Sequence, residues 1–230
     1  MSEGRPGPGK KRVGLFGGAF NPVHNAHLRV AQEVRELCNL TQVVFIPSYR
    51  PPFKKEIQAD FHDRVKMLAM AIEGNPYFAM SLCESRSEEL SYTALTLDYV
   101  LSEYGGCELF FIIGLDAFLE MEKWYKPYEI LSKSHVVVVN RGGIPLETIE
   151  KSPFIDDSAM ALDETSGPVR IIGLKTGGST TLCHVTSMEI SSTMIRALVR
   201  EGKSIKYLLP EKVESFIINK GLYGLQKNYL

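Results

Sequence analysis

Short continuous runs of apolar residues alternate along the chain with stretches in which apolar residues recur every three or four positions. The continuous runs predict buried strands at 13–16, 43–46, 78–82, 108–113 and 135–139, with a further candidate at 169–174. The helical spacing is carried by Val30, Val34 and Leu37; Val65, Leu68, Ala69 and Ile72; Leu97, Val100, Leu101 and Tyr104; Ile195, Leu198 and Val199; and Val213, Phe216 and Ile217. Because parallel strands need crossovers and amphipathic helices supply them, the pattern predicts a doubly wound α/β fold with a mainly parallel sheet and C-terminal helices.

Residues that start and stop helices frame these elements. Asp60 is placed to cap the second helix, and Gly74-Asn75-Pro76 follows its last apolar position. The last two helices are predicted over 191–202 and 210–220.

Two regions lack this regularity. Residues 1–11 are rich in Gly, Pro and charge, and we expect them to form a flexible tail ahead of a single domain over 12–225. Residues 141–182 include an acidic stretch at 155–164 and a Gly/Ser/Thr-rich turn at 175–181, and we expect a variable surface region there.

Composition restricts the class of protein. The chain has 230 residues, 44% of them hydrophobic, which is enough for a well-buried core. Twenty-six basic and 27 acidic residues give a net charge of -1, which argues against a broad nucleic-acid surface. The four cysteines are scattered without a CxxC pair, and no run of about 18 apolar residues occurs. We therefore expect a cytoplasmic protein with reduced thiols and with neither nucleic-acid nor membrane partners.

The stretch GLFGGAFNPVHNAHL, residues 14–28, holds the first candidate chemistry. Gly17 and Gly18 fall at the turn between the first strand and the first helix, where α/β folds often bind phosphate. Glycine lets the backbone approach a phosphate closely, but such a pair also serves simply to close a tight loop.

His24 and His27 follow at a spacing of three, so both lie at the first turn of a helix that begins near Asn25. Their ring nitrogens can donate to one bound anion. Two structural interpretations stay open: a solvated pair, and core histidines bonded to backbone carbonyls. A zinc site is a further alternative, although no Cys or carboxylate at helical spacing completes it.

A second candidate anchor is MEISSTMIRAL, residues 188–198. Ser191 and Ser192 can cap a helix while offering hydroxyls and amides to an anion, and Arg196 presents a fork suited to phosphate oxygens. Two such helix starts suit phosphoryl or nucleotidyl transfer, in which the protein mainly positions the reactants and stabilises charge.

GGAFNPVHNAH and ISSTMIR resemble the paired signatures of the HxxH nucleotidylyltransferases. Together with PPFKK, FHDRVKMLAMAI, SYTALTL, FIIGLDAFLEMEKWYKPYEIL and VVVVNRGG, the chain resembles the bacterial nicotinate-nucleotide adenylyltransferases of NAD biosynthesis from about 13 to 223. The resemblance implies a Rossmann-like nucleotidylyltransferase fold. It also implies transfer of AMP from ATP to nicotinate mononucleotide, giving nicotinate adenine dinucleotide and pyrophosphate, with Mg²⁺ and without a covalent enzyme intermediate. The oligomeric state stays open, with a homodimer as one option.

The resemblance assigns three groups of residues. The catalytic group, which stabilises charge on the phosphates, is His24, His27 and Arg196. The ATP-binding group is Gly17, Gly18, Phe20, Asn21, Asp116, Ser191, Ser192 and Thr193. The acceptor-binding group is Lys54, Tyr92, Thr93, Trp124, Tyr125 and Arg141, with Trp124 stacking on the pyridine ring. No residue is assigned to a metal.

Some assignments have structural alternatives. Trp124 can pack into the core, Asp116 can cap a helix, and Arg141 can cap a strand end. The chain also departs from the family pattern, because Asn21 stands where Asp is frequent and Phe53 where many relatives carry His.

Two rival functions follow from these residues. One is an adenylyltransferase for nicotinamide mononucleotide or a pantetheine phosphate, against which SYTALTL and WYKPYE argue. The other is a nucleotide-binding regulator without catalysis, against which the intact His24, His27 and Arg196 argue.

Overall fold

The protein is described here by a computed structural model that covers residues 10–52, 58–86, 89–140, 144–156 and 167–224. Its strands are β1 Arg12–Gly18, β2 Gln42–Pro47, β3 Phe78–Met80, β4 Glu108–Gly114, β5 His135–Val139, β6 Val169–Gly173 and β7 Ser179–Cys183. Its α-helices are α1 Asn25–Leu37, α2 Phe61–Ile72, α3 Thr93–Glu103, α4 Leu115–Leu119, α5 Pro127–Lys133, α6 Ser192–Arg200 and α7 Glu211–Lys220.

The strands form one seven-stranded sheet in the order β3-β2-β1-β4-β5-β7-β6. Every neighbouring pair is parallel except β6 with β7. The chain first winds outward from β1 through β2 to β3 and then resumes on the other side of β1 with β4. The carboxyl ends of β1 and β4 therefore form the switch point at which open α/β sheets bind their ligands.

Helices cover both faces of the sheet, as the sequence pattern predicts. One face packs against α1, α2, α6 and α7, and the other packs against α3, α4 and α5. Successive strand residues alternate between the two cores: Val43 and Phe45 of β2 join the first, whereas Val44 and Ile46 join the second. The fold is thus the doubly wound, mainly parallel α/β arrangement.

The helix boundaries agree with most of the sequence signals. Asp60 caps α2 by accepting from the Asp63 amide at 2.8 Å, and Ser191 caps α6 by accepting from the Met194 amide at 3.1 Å. The predicted inner face of α2 is partly wrong, because Ala69 is exposed and Arg64 is buried. A pattern of hydrophobic residues does not predict the burial of Arg64, because its guanidinium is compensated inside the protein by a hydrogen bond to a backbone carbonyl.

The expectation of a variable surface region over 141–182 is wrong for β7 and for residues 154–155, whereas the candidate strand at 169–174 is confirmed as β6 at the edge of the sheet. Strand β7 lies inside the sheet between β5 and β6, and Phe154, Ile155 and Leu182 are buried. Strand β7 was not predicted because its sequence is polar. Thr180 is nevertheless fully buried, because its hydroxyl donates to the Val136 carbonyl at 2.9 Å.

Among the described helices, none combines the length and apolar character that crossing a bilayer would need.

Candidate active site

The loop between β1 and α1, residues 19–24, is buried along its whole length. Buried backbone carbonyls need hydrogen-bond donors, and three side chains supply them here. Arg64 Nη1 donates to the Ala19 carbonyl at 2.7 Å, Arg196 Nη1 to the Asn21 carbonyl at 2.8 Å, and Ser192 Oγ to the Pro22 carbonyl at 2.8 Å. Two of these donors come from α6, so the two predicted anchors meet in space.

His24 and His27 lie face to face at the start of α1. His24 is the N-cap residue and is 1% exposed, while His27 is 9% exposed. The ring centroids are 3.7 Å apart with 25° between the planes, and the His24 amide donates to Nδ1 of His27 at 3.3 Å. Since Nδ1 is the acceptor, Nε2 carries the proton of a neutral His27 ring and can donate to an anion.

Burial excludes the solvated-pair interpretation of the two histidines and leaves a structural pair or an anion site. A zinc site gains no support from side-chain placement: within the described ranges, no three or more His, Cys, Asp or Glu side chains are grouped to hold a metal.

A cavity of about 380 Å³ opens beside the histidines at the carboxyl ends of β1, β4 and β5. His24, His27 and Val30, from the start of α1, line it together with residues 186–191. Gly114 and Asn140, at the ends of β4 and β5, complete the wall. Its volume lies within the range of about 300–1,000 Å³ that is usual for small-molecule sites.

The start of α6 borders this cavity through Ser191, whereas Arg196 lies just outside it. Arg196 is half-buried and holds the Asn21 carbonyl; its Nη2 also donates to Oγ1 of Thr193 at 3.2 Å. Its guanidinium therefore positions the β1–α1 loop, and its contact with phosphate stays a prediction.

The predicted acceptor residues gather on the other side of β1, against α3. The rings of Tyr92 and Tyr125 are 4.7 Å apart. Trp124 is half-buried and meets Phe111 edge-on at 6.4 Å. Thr93 begins α3 and shares a small cavity with Gly17. Gly17 therefore borders the acceptor side rather than the histidine cavity.

The remaining assigned residues have varied surroundings. Phe20 is buried beside His27, with the ring centroids 5.1 Å apart. Gly18 ends β1. Asp116 is exposed in the first turn of α4, whose N-cap position is held by Gly114, so Asp116 is not the capping residue. Lys54, Arg141 and the variant position Phe53 lie outside the described residues.

Asn21 turns its carboxamide into the protein. Its Oδ1 accepts from the Tyr223 hydroxyl at 2.9 Å and from the Ala59 amide at 3.4 Å, and the residue is 5% exposed. This environment explains how Asn fits where Asp is frequent: the contacts need an oxygen acceptor, not a negative charge. A direct contact of Asn21 with ATP stays a prediction.

The sequence reasoning missed two residues that shape this loop, Arg64 and Tyr223. Burial lowers the pKa of the Arg64 guanidinium, and it raises the pKa of the Tyr223 phenol. The one sequence feature that could have indicated burial of Arg64 is its position four residues before the apolar Leu68, which places both on the same face of the helix. Tyr223 gave no signal, because its partner lies 202 residues away.

Comparisons with known proteins agree with this architecture. The cytidylyltransferase-like family model matches residues 15–198. A protein of Syntrophotalea carbinolica described as "Probable nicotinate-nucleotide adenylyltransferase" is 38% identical over 218 residues, covering 94% of this chain and 99% of the relative. A protein of Geobacter metallireducens with the same description is 38% identical over 220 residues, covering 92% and 98%.

Solved structures show the same fold. The Plasmodium falciparum nicotinic acid mononucleotide adenylyltransferase complexed with NaAD superposes with a TM-score of 0.72 at 18% identity, covering 94% of this chain and 98% of that one. At that identity the likeness concerns the fold alone, and the sequence relatives supply the finer relationship. The chain therefore belongs to the cytidylyltransferase-like family and, within it, to the nicotinate-nucleotide adenylyltransferases.

Proposed function

We propose that this chain transfers the adenylyl group of ATP to nicotinate mononucleotide as an enzyme of NAD biosynthesis. A phosphate oxygen of the acceptor attacks the α-phosphorus of ATP, and the bond between that phosphorus and the oxygen bridging to the β-phosphorus breaks. The products are nicotinate adenine dinucleotide and pyrophosphate. Residues 12–225 act in this proposal as one nucleotidylyltransferase domain.

The observation that carries the proposal is the meeting of the α1 and α6 N-termini around the buried loop 19–24. Helix N-termini favour negative charge through their free amides and dipoles. Nε2 of His27 donates to ATP phosphate oxygens, and His24, stacked on it, lines the same cavity. Both act by stabilising charge that develops on the transferring group, and neither needs to remove a proton from an acceptor that is already an anion.

The acceptor binds on the α3 side of β1 in this proposal. Trp124 offers a ring face to the pyridine, Tyr92 and Tyr125 form an aromatic pair beside it, and Thr93 starts the adjacent helix. Gly17 borders this side and its neighbour Phe16 lines the histidine cavity, so in this proposal the acceptor phosphate and the ATP phosphates meet across the end of β1. Lys54 and Arg141 are proposed to add positive charge there.

Mg²⁺ is proposed to enter with the triphosphate. We propose that the ion is held mainly by phosphate oxygens and water, which are its usual ligands when it accompanies a nucleotide. When bound, the ion neutralises charge on the phosphates, while the chain itself supplies hydrogen-bond donors and orientation.

The deciding experiment measures pyrophosphate release from ATP and Mg²⁺ with three acceptors supplied separately at equal concentration. Release strongest with nicotinate mononucleotide supports the proposal. Release only with nicotinamide mononucleotide or phosphopantetheine retains adenylyl transfer but overturns the acceptor. If no pyrophosphate is released with any of the three acceptors, the result favours a nucleotide-binding regulator without catalysis. A parallel series with EDTA tests the metal, because the proposal requires release to stop when divalent ions are removed.

A further inference from the structure

The segment 184–191, whose residues 186–191 line the histidine cavity, is held at its start by Asn140. This residue follows β5, and its side-chain amide pairs with both backbone groups of Val185. Oδ1 accepts from the Val185 amide at 2.6 Å, and Nδ2 donates to the Val185 carbonyl at 3.1 Å. Residues 184–191 adopt neither helix nor strand, so this pairing replaces the support that a sheet would give.

Glu33 fastens the next residue from the opposite direction. Its carboxylate on α1 accepts from the Thr186 amide at 2.7 Å and from the Thr186 hydroxyl at 2.5 Å. Arg29, one turn earlier on α1, also pairs with that carboxylate. Glu33 lines a surface groove on the outside of the segment and is not among the residues that line the histidine cavity.

The cavity is lined by two chemically different kinds of residue. His24, His27 and Ser191 provide polar groups suited to phosphate, whereas Val30, Val139 and Ile190 provide apolar surface. A purine base has two apolar faces and an edge of hydrogen-bonding groups. The irregular main chain of 186–190 lies against this cavity and can meet such an edge with its own amides and carbonyls.

We propose that Asn140 and Glu33 are positioning residues that set the preference for adenine over guanine by holding the main chain of residues 185–186, from which the cavity-lining stretch 186–191 continues. The inference rests on the proposed function, because it takes ATP as the nucleotide that enters this cavity. Adenine and guanine differ in the hydrogen-bond donors and acceptors along one edge. A main chain held in a fixed position can match the edge of one base, and its polar groups then lack hydrogen-bond partners when the other base binds. A loosened wall adapts to either base and loses that discrimination.

The first test replaces Asn140 and measures kcat and KM with ATP and with GTP. Asn140→Ala should reduce the ratio of kcat/KM for ATP over GTP by about tenfold, the scale of one or two buried hydrogen bonds. The KM for the acceptor should stay within about twofold, because the acceptor site lies across β1. Asn75→Ala is the matched control: Asn75 also bonds a backbone amide, that of Tyr77 at 3.0 Å, but it precedes β3 at the amino end of the sheet.

Glu33 separates positioning from direct contact, since its side chain does not line the cavity. Glu33→Ala should lower the ATP preference as well, and Glu33→Gln should restore part of it by keeping one acceptor for the Thr186 amide. Glu36→Ala is the matched control, because Glu36 lies on the same helix and, within the described residues, its carboxylate accepts a hydrogen bond from Gln32 alone. Unchanged base preference in both Glu33 variants overturns the inference.

Binding measurements keep the inference separate from the acceptor assignment. Calorimetric titration of the wild type and variants with ATP or GTP, without any acceptor, reads the base preference directly. A wild type that binds ATP selectively but releases no pyrophosphate refutes the proposed function and leaves the positioning role testable. Equal losses for ATP, GTP and acceptor in an active variant indicate general disruption and refute the positioning role. The Glu33→Gln variant supplies the answer if Asn140→Ala fails to fold.

Discussion

The hydroxyl of Tyr223 donates a hydrogen bond to Oδ1 of Asn21 at 2.9 Å, joining positions 202 residues apart. Asn21 lies in the loop that leads to His24, and its own carbonyl accepts from Arg196. The C-terminal segment therefore helps to hold the loop that presents the histidines. Burial raises the pKa of the Tyr223 phenol, against smaller lowering by Arg196 and Arg64, so the hydroxyl keeps its proton and remains a donor at neutral pH.

Tyr223→Phe should lower the free energy of unfolding by about 1 kcal/mol, the usual net contribution of one hydrogen bond. The Ala59 amide still donates to Asn21 Oδ1, so the oxygen is not left without a partner. Denaturant titration measures the loss. Tyr207→Phe is the matched control, since Tyr207 is 81% exposed; equal stability of all three proteins would show that the Tyr223 bond contributes nothing.

His27→Ala should reduce kcat by about 10²-fold or more, as expected when one donor to a developing charge is lost. The reason lies in the geometry: Nδ1 accepts from the His24 amide, so Nε2 carries the proton that is proposed to be donated to the phosphates. His135→Ala controls for the loss of a ring, because His135 stacks on Phe110 at the amino end of β5. Near-normal turnover in His27→Ala would remove His27 from the mechanism and favour its structural interpretation.

Gly17→Ala tests whether a ligand approaches the end of β1. A Cβ at Gly17 meets nothing within 4 Å, so the melting temperature should not change. If substrate lies against this backbone, kcat/KM falls all the same. Gly14→Ala should instead lower stability, because its Cβ would lie 2.8 Å from Leu40 Cδ1. We expect this overpacking to reduce the free energy of unfolding by about 1–3 kcal/mol. Full activity in Gly17→Ala would argue against a close ligand approach.

Trp124→Ala should raise the KM for nicotinate mononucleotide and leave the KM for ATP little changed, because the ring lies with the α3-side residues. Trp124→Phe should recover part of the acceptor affinity by restoring an aromatic face. Thermal unfolding provides the alternative readout: a lower melting temperature with unchanged acceptor affinity would mean that Trp124 serves the core through its contact with Phe111.

The sequence predicted correctly the strands and helices that are buried through apolar side chains. Continuous runs such as 43–46 and 135–139 became central parallel strands, and Asp60 and Ser191 capped helices as predicted. Strand β7 was missed because Thr180 satisfies its hydroxyl inside the sheet, which makes a polar residue compatible with complete burial. Hydrophobic periodicity does not register such a residue.

The candidate site was predictable in its local motifs but not in its supports. His24, His27 and Ser191 stand in short recognisable stretches, and the structure places them around one cavity. Arg64, Asn140 and Tyr223 act on partners 45, 45 and 202 residues away. Those contacts depend on how the sheet is wound, so no spacing along the chain reveals them.

Glu33 makes the hold on Thr186 dependent on pH. Burial acts to raise the pKa of this carboxyl, but hydrogen bonds from Thr186 and the charge of Arg29 outweigh it and hold the pKa below its ordinary 4.5. A carboxyl whose pKa is lower in the folded than in the unfolded state stabilises the fold at pH values above the unfolded-state pKa. This stabilisation is lost as the pH falls through the folded-state pKa. The wild type should therefore exceed Glu33→Gln in unfolding free energy at pH 7, and the difference should shrink below about pH 4.5. His184 lines the same groove and is present in both proteins, so the difference between them isolates Glu33. A gap that stays constant from pH 7 to pH 3 in denaturant titrations would show that the carboxylate charge is not what holds Thr186.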